Sequence, residues 1–222
     1  MLVLAHRGFH RHVPENTMAA FAAAVELMVD GIETDIRFSR DGVALLFHDA
    51  LARNGEAVAD LTHRQLEHIS GFAVPTIAHA LARWPALFWD LEIKAPAAPE
   101  RIAEVLKPYQ DSHRLLLTSF DHKLILSLAR LLESDCGLLF DERVPDLKSY
   151  LSRHATPPRV GTIVVDYKIL SEALVDDAEA LGFRTFVYGA VSRQDHARCL
   201  ALDLAAVITD YPDRIPNRQS NP

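Results

Sequence analysis

"GIETDIRFSRDGVALLFHD" occupies positions 31–49. Ile32, Thr34, Ile36 and Phe38 alternate with Glu33, Asp35 and Arg37, a period of two that makes residues 31–38 a strand with two unlike faces. Ser39-Arg40-Asp41-Gly42 reads as a turn and residues 43–47 as a return arm, so the strand carries a small β-hairpin that ends in His48-Asp49. Buried strands of a parallel sheet are normally apolar throughout. Two acids and a base on one face need a place where strand ends meet a site.

The rest of the chain supplies that setting. Upstream, residues 2–5 form a strand that stops at His6-Arg7-Gly8, and residues 16–28 form a helix with Phe21 and Val25 on one face. Downstream, helical patterns at 61–69 and 76–83 lead to a strand at 86–93 and a helix at 99–107. Strands at 114–118, 136–140, 161–165, 183–188 and 205–209 then alternate with helices at 121–132, 145–152, 171–181 and 193–201. Alternation of this kind requires a parallel sheet covered by crossover helices. About eight such units in one chain favour an α/β fold of the closed (β/α)8 TIM-barrel type over an open doubly wound sheet. No linker or composition shift divides residues 1–222, so a single barrel domain is expected. The hydrophilic tail after Pro212 leaves little room for a full eighth helix.

Composition narrows the function. With 49% hydrophobic residues the chain can fill a core without disulfides or structural metal. Lys and Arg number 23 against 30 Asp and Glu, a net charge of −7 that argues against nucleic-acid partners and stable membrane association. Cys136 and Cys199 are far apart in apolar contexts and read as buried thiols of a reducing compartment. The short apolar start runs straight into His6, which is no signal-peptide core, so a soluble cytoplasmic protein is expected. Monomer and homodimer are both compatible with the sequence.

Active sites of barrels gather at the C-terminal ends of their strands. His6 and Arg7 end the first strand, His48-Asp49 the hairpin arm and Thr209-Asp210 the last strand, while Asp90, Glu92 and Lys94 share one face of the third. Glu33 and Asp35 either point outward or hold a cation between them, because two inward like charges repel. Glu92 offers a third oxygen at neighbouring height. Three hard carboxylates without nearby Cys suit Mg²⁺ or Ca²⁺ better than zinc. His6 and His48 suit a general acid and a general base, and Arg7 and Lys94 suit the oxygens of a phosphate. Jointly the set describes metal-assisted phosphoryl chemistry. Pro14-Glu15-Asn16-Thr17 reads as a stiffened entry to the first helix, with Asn16 or Thr17 as its cap. His10 and His12 fall in the first loop, at the mouth of such a pocket.

These residues resemble a known family, the glycerophosphodiester phosphodiesterases. The matches are "AHRG" with "PENT", then "GIETDIRFSRDGVALLFHD", "LEIK" and "VITDYP", in order along nearly the whole chain. The resemblance implies a (β/α)8 barrel that hydrolyses small-molecule glycerophosphodiesters to an alcohol and glycerol 3-phosphate. It implies a divalent metal, Mg²⁺ or Ca²⁺, on Glu33, Asp35 and Glu92. It makes His6 and His48 the catalytic pair, and Arg7 and Lys94 the phosphate ligands. The sequence departs from the family pattern at Arg53-Asn54-Gly55, at Tyr188-Gly189-Ala190-Val191 where Trp-Thr-Val-Asn is usual, and at Ala205-Ala206. The stretch after His48-Asp49 is also short. Two rival readings share the barrel: a phospholipase cleaving phosphatidylinositol or sphingomyelin headgroups, and a non-catalytic phosphate-binding module.

Overall fold

The computed structural model describes residues 1–94, 98–154 and 159–215. Strands β1 (Leu2–His6), β2 (Gly31–Phe38), β4 (Phe88–Ile93), β5 (Arg114–Ser119), β6 (Asp135–Phe140), β7 (Val160–Asp166), β8 (Arg184–Tyr188) and β9 (Ala206–Thr209) run parallel, each beside the next. The β1–β9 and β1–β2 pairings close the sheet, so the expected eight-stranded barrel is what forms. Strand β3 (Ala44–Leu46) pairs antiparallel with the end of β2, completing the hairpin read from 39–47.

Helix α1 (Met18–Glu26) follows β1, and α2 (His63–Ser70) and α3 (Ile77–Arg83) follow the hairpin. After β4, β5, β6, β7 and β8 come α4 (Pro99–Leu106), α5 (His122–Leu131), α6 (Leu147–His154), α7 (Glu172–Glu179) and α8 (Arg193–Ala201). Their starts follow capping chemistry. Thr17, Asp121, Ser171 and Ser192 each accept a backbone N–H of the first helical turn. The helix expected at 145–152 begins two residues later, because Asp146 is its cap: its Oδ1 accepts the Ser149 N–H at 2.9 Å. After β9 the described chain ends in a single 3₁₀ turn, Pro212–Arg214.

The strand period sorts side chains into two cores. Outward residues such as Ile32, Trp89 and Leu117 pack under the helices; Trp89 meets Phe21 edge-on at 5.5 Å. Inward residues such as Leu4, Phe88, Leu116 and Phe186 fill the lower barrel as a separate cluster. Gly31 faces β4 so closely that a Cβ would lie 2.3 Å from the Phe88 carbonyl oxygen, and only glycine fits there. That contact sets β2 against β4 in register, with Glu33 opposite Asp90 and Asp35 opposite Glu92. Both Cys136 and Cys199 are buried free thiols, held protonated by burial, which pushes them up to about 12 and about 11. Among the described residues no helix is long and apolar enough to cross a membrane.

Candidate active site

The turn after β1 is shaped by close packing. A Cβ on Gly8, at φ +80°, would lie 2.7 Å from the Ala20 backbone of α1. Arg7 adopts the left-handed region at φ 55° and donates its N–H to the Glu33 carbonyl at 2.8 Å. A non-glycine residue is uncommon there, and in this conformation the Arg7 guanidinium reaches the carboxylates. Its Nε lies 3.2 Å from Asp35 Oδ2 and its Nη1 2.9 Å from Glu15 Oε1. Burial, which lowers the Arg7 pKa, is outweighed by the charges of Asp35, Glu15 and Glu33, and the net direction is upward.

Glu33 and Asp35 point inward and are buried, as is Glu92. One oxygen from each lies within 4.8 Å of the others. Of the two orientations open to the sequence, the inward one with a need for compensation is the one realised. Burial first, then Asp35 and Glu92, pushes the Glu33 carboxyl well above the usual carboxylate range. Burial raises Glu92 as well, against the opposing effect of Lys94. Lys94 Nζ stands 2.7 Å from Glu92 Oε1 and 3.5 Å from Asp35 Oδ1. Glu33 Oε1 and Asp35 Oδ1 accept no hydrogen bond. Buried carboxylate oxygens left without donors are costly unless something positive meets them. The donor set, all oxygen and close-spaced, fits a divalent cation of the Mg²⁺ or Ca²⁺ kind.

The two imidazoles flank this cluster. His6 Nδ1 is 2.7 Å from Asp210 Oδ1, and His6 Nε2 is 3.8 Å from Glu33 Oε2. Donation from Nδ1–H to a carboxylate leaves the Nε2 lone pair facing the cavity. His48 Nδ1 is 2.8 Å from Asp49 Oδ1, a second imidazole–carboxylate pair with a more exposed acid. His6, Arg7, Glu33, His48, Glu92 and Lys94 line one cavity of about 230 Å³, and the fully buried Asp35 sits behind it. All seven residues singled out from the sequence thus meet at one rim. The opposite wall is apolar, built by Phe120, Leu139, Val164, Tyr188 and Ile208.

Asn16, Asp210, His10 and Arg37 also belong to this arrangement; the sequence placed Asp210 at a strand end, His10 at the pocket mouth and Arg37 on the face of Glu33 and Asp35, but gave none of them a role there. Asn16, read as a helix cap, does something else: Thr17 is the cap, and Asn16 stands at φ 55° with its Nδ2 donating to Asp35 Oδ2 at 2.8 Å. Its Oδ1 accepts the Thr34 hydroxyl at 2.6 Å. Asp210 accepts from both His6 and His10; these bonds outweigh burial and hold its carboxyl well below the usual range. His10 rises in turn through its bond to Asp210, whereas His12 is exposed. Arg37 donates to the carbonyls of His48 at 2.7 Å and Lys94 at 3.3 Å, tying two rim segments to β2.

Asp90 lies one layer below, fully buried, accepting the Thr118 hydroxyl at 2.7 Å. Burial, together with Glu92 and Asp35 and against the Thr118 bond, pushes it up to about 8. Between roughly pH 4 and pH 8 the unfolded chain therefore releases a proton that the folded, metal-free chain keeps. Stability falls as pH rises through that window, by up to about 1.4 kcal/mol per pH unit from this group. Asp90→Asn is expected to remove this slope. Melting curves in chelator from roughly pH 5 to pH 8 would contradict it if parent and variant lost stability in parallel.

Comparison with known proteins agrees with the fold. A family model described as "Glycerophosphoryl diester phosphodiesterase family" matches residues 6–214. A glycerophosphodiester phosphodiesterase of Caldanaerobacter subterraneus subsp. tengcongensis is 28% identical, over 97% of this chain and 96% of its own length. The crystal structure of a "putative glycerophosphodiester phosphodiesterase" from Galdieria sulphuraria superposes with a TM-score of 0.84 at 21% identity, covering 96% of this chain and 94% of that one. An Oleispira antarctica phosphodiesterase, solved in complex with the product sn-glycerol-3-phosphate, superposes with a TM-score of 0.83 at 20% identity, covering 97% and 95%. With a matching barrel, a matching family model and relatives alike from end to end, the chain belongs to the glycerophosphoryl diester phosphodiesterase family.

Proposed function

We propose that this protein hydrolyses glycerophosphodiesters to an alcohol and glycerol 3-phosphate, using His6 and His48 as the acid/base pair and a divalent cation, Mg²⁺ or Ca²⁺, held by Glu33, Asp35 and Glu92. The observation that carries the reading is the convergence of three buried carboxylates, two carboxylate-paired imidazoles and two cations on one cavity. When bound, the cation supplies Lewis-acid charge at a phosphoryl oxygen.

The chain's own groups do the rest. Arg7 and Lys94 take the remaining non-bridging oxygens, Arg7 as a planar fork and Lys94 as a point charge. One imidazole removes the proton of the nucleophile, and the other gives a proton to the departing alcohol oxygen, each held in a fixed tautomer by Asp210 or Asp49. Water attacks directly, or the substrate's glycerol hydroxyl attacks first and water opens the resulting cyclic phosphate. The apolar wall excludes competing water from the carbon side of the substrate. The test is release of glycerol 3-phosphate from glycerophosphocholine with and without Mg²⁺ or Ca²⁺. No release under any metal condition would end this reading.

Asn16 has a measurable part in it. Removing its amide leaves Asp35 Oδ2 with only Arg7 to orient it. Asn16→Ala is expected to weaken Mg²⁺ or Ca²⁺ binding by ~10–100-fold, the usual effect of losing a group that orients a ligand. It should also cost about 1–3 kcal/mol of stability through the orphaned Thr34 hydroxyl and the strained backbone. Titration calorimetry and thermal melting read the two effects separately.

A further inference from the structure

One buried imidazole stands outside the catalytic account. His196 is fully buried, beside Cys199 on the inner face of α8. Its Nε2 lies 2.9 Å from the hydroxyl of Thr209, the last residue of β9. A histidine enclosed in this way needs a reason, since a leucine would fill the space with no polar atom to satisfy.

The reason lies one residue further on. Thr209 is the last position of β9 held by the sheet, in register with Ala5 of β1, and Asp210 stands beyond the ladder. The Thr209 side chain makes the turn that aims Asp210. Its Oγ1 accepts the Tyr211 N–H at 3.0 Å, closing a side-chain turn around Asp210, and donates to the Ala190 carbonyl after β8 at 3.2 Å. A hydroxyl has one proton and two lone pairs. The proton is spent on Ala190 and one lone pair on Tyr211, so the second lone pair takes the His196 Nε2–H. With all three filled, the hydroxyl is locked. The Asp210 carboxylate is thereby delivered to His6 Nδ1 at 2.7 Å, and His10 Nε2 meets the same oxygen at 3.1 Å.

We propose that His196 is a positioning residue for the reaction: through the Thr209 hydroxyl it fixes the turn that presents Asp210 to His6, and so the aim of the His6 ring into the cavity. This rests on the phosphodiesterase reading above. The relay runs from the outer helix layer to the catalytic rim, and each link is a hydrogen bond. His196 does not line the cavity, so its loss acts on turnover and not on substrate binding. A displaced His6 ring costs rate because proton transfer needs hydrogen-bond reach.

The test is a cycle of variants assayed for glycerol 3-phosphate release from glycerophosphocholine with Mg²⁺ or Ca²⁺, the folding of each verified by its melting temperature. His196→Leu is expected to lower kcat ~10-fold with KM within ~2-fold of the parent. His196→Gln, whose amide N–H stands as many bonds from the backbone as the Nε2–H, is expected to recover most of that loss. In an Asp210→Ala background, His196→Leu should cost no more than a further ~2-fold, because the group it acts through is gone; a general packing defect would cost its full factor again. Thr209→Val removes the hydroxyl at nearly unchanged shape and is expected to follow the same pattern, so it decides the matter if His196→Leu does not fold. The full loss repeated in the Asp210→Ala background, or parent-like kcat in the folded variants, overturns the role of His196 alone. No release by the parent overturns the phosphodiesterase reading and the role of His196 together.

Discussion

His6→Ala and His48→Ala are each expected to lower turnover of glycerophosphocholine by ~10²–10⁴-fold, the usual contribution of a positioned acid or base. The two rings are not equally supported, and the difference is itself testable. His6 is anchored by Asp210, a partly buried carboxylate that His10 also engages, while Asp49 beside His48 is largely exposed. An exposed partner competes with water for its imidazole and orients it weakly. Asp210→Ala should therefore cost clearly more activity than Asp49→Ala, and less than loss of His6 itself. Steady-state kinetics on folded variants decide the matter. Parent-like turnover in both histidine variants would remove the acid/base assignment, whatever became of the aspartates.

Glu33→Gln is expected to separate folding from metal binding. In the metal-free chain the Glu33 carboxyl already holds its proton far above the usual range, because it is buried beside Asp35 and Glu92. Glutamine resembles that neutral form in size and shape, and its oxygen can still accept the Arg7 N–H that Glu33 Oε2 meets at 3.3 Å. Metal-free stability should change by no more than about 1 kcal/mol. The parent, given Mg²⁺ or Ca²⁺ at a hundred times its dissociation constant, should gain about 2.7 kcal/mol, and the variant should gain almost none. Turnover should fall by at least ~10³-fold, equivalent to about 4 kcal/mol of lost transition-state stabilisation. A metal-induced rise in melting temperature that persists in Glu33→Gln would show that the ion, if it binds, binds elsewhere.

Much of the architecture is legible in the sequence. The alternation of short apolar runs with amphipathic segments announced a parallel sheet, since strand and helix leave different periods in the chain. The polar residues at the C-terminal ends of those runs marked the rim, because the active sites of barrels gather at that end. Seven residues chosen on that ground converge on one cavity. Element ends were less legible at α6, where Asp146 competes with Pro145 for the start of the helix.

What the sequence could determine by itself was the identity and order of the chemical groups, since periodicity and charge are local properties of the chain. Only the tertiary structure decided which groups orient which. Asn16 meets Asp35 across 19 positions, and His6 meets Asp210 across 204. Nothing local distinguishes an asparagine that caps a helix from one that turns through the left-handed region to reach a carboxylate. Likewise, Glu33 and Asp35 facing inward was a choice the alternating pattern left open. Closure of the barrel settled it, by bringing β1 and β4 to either side of β2 and burying that face.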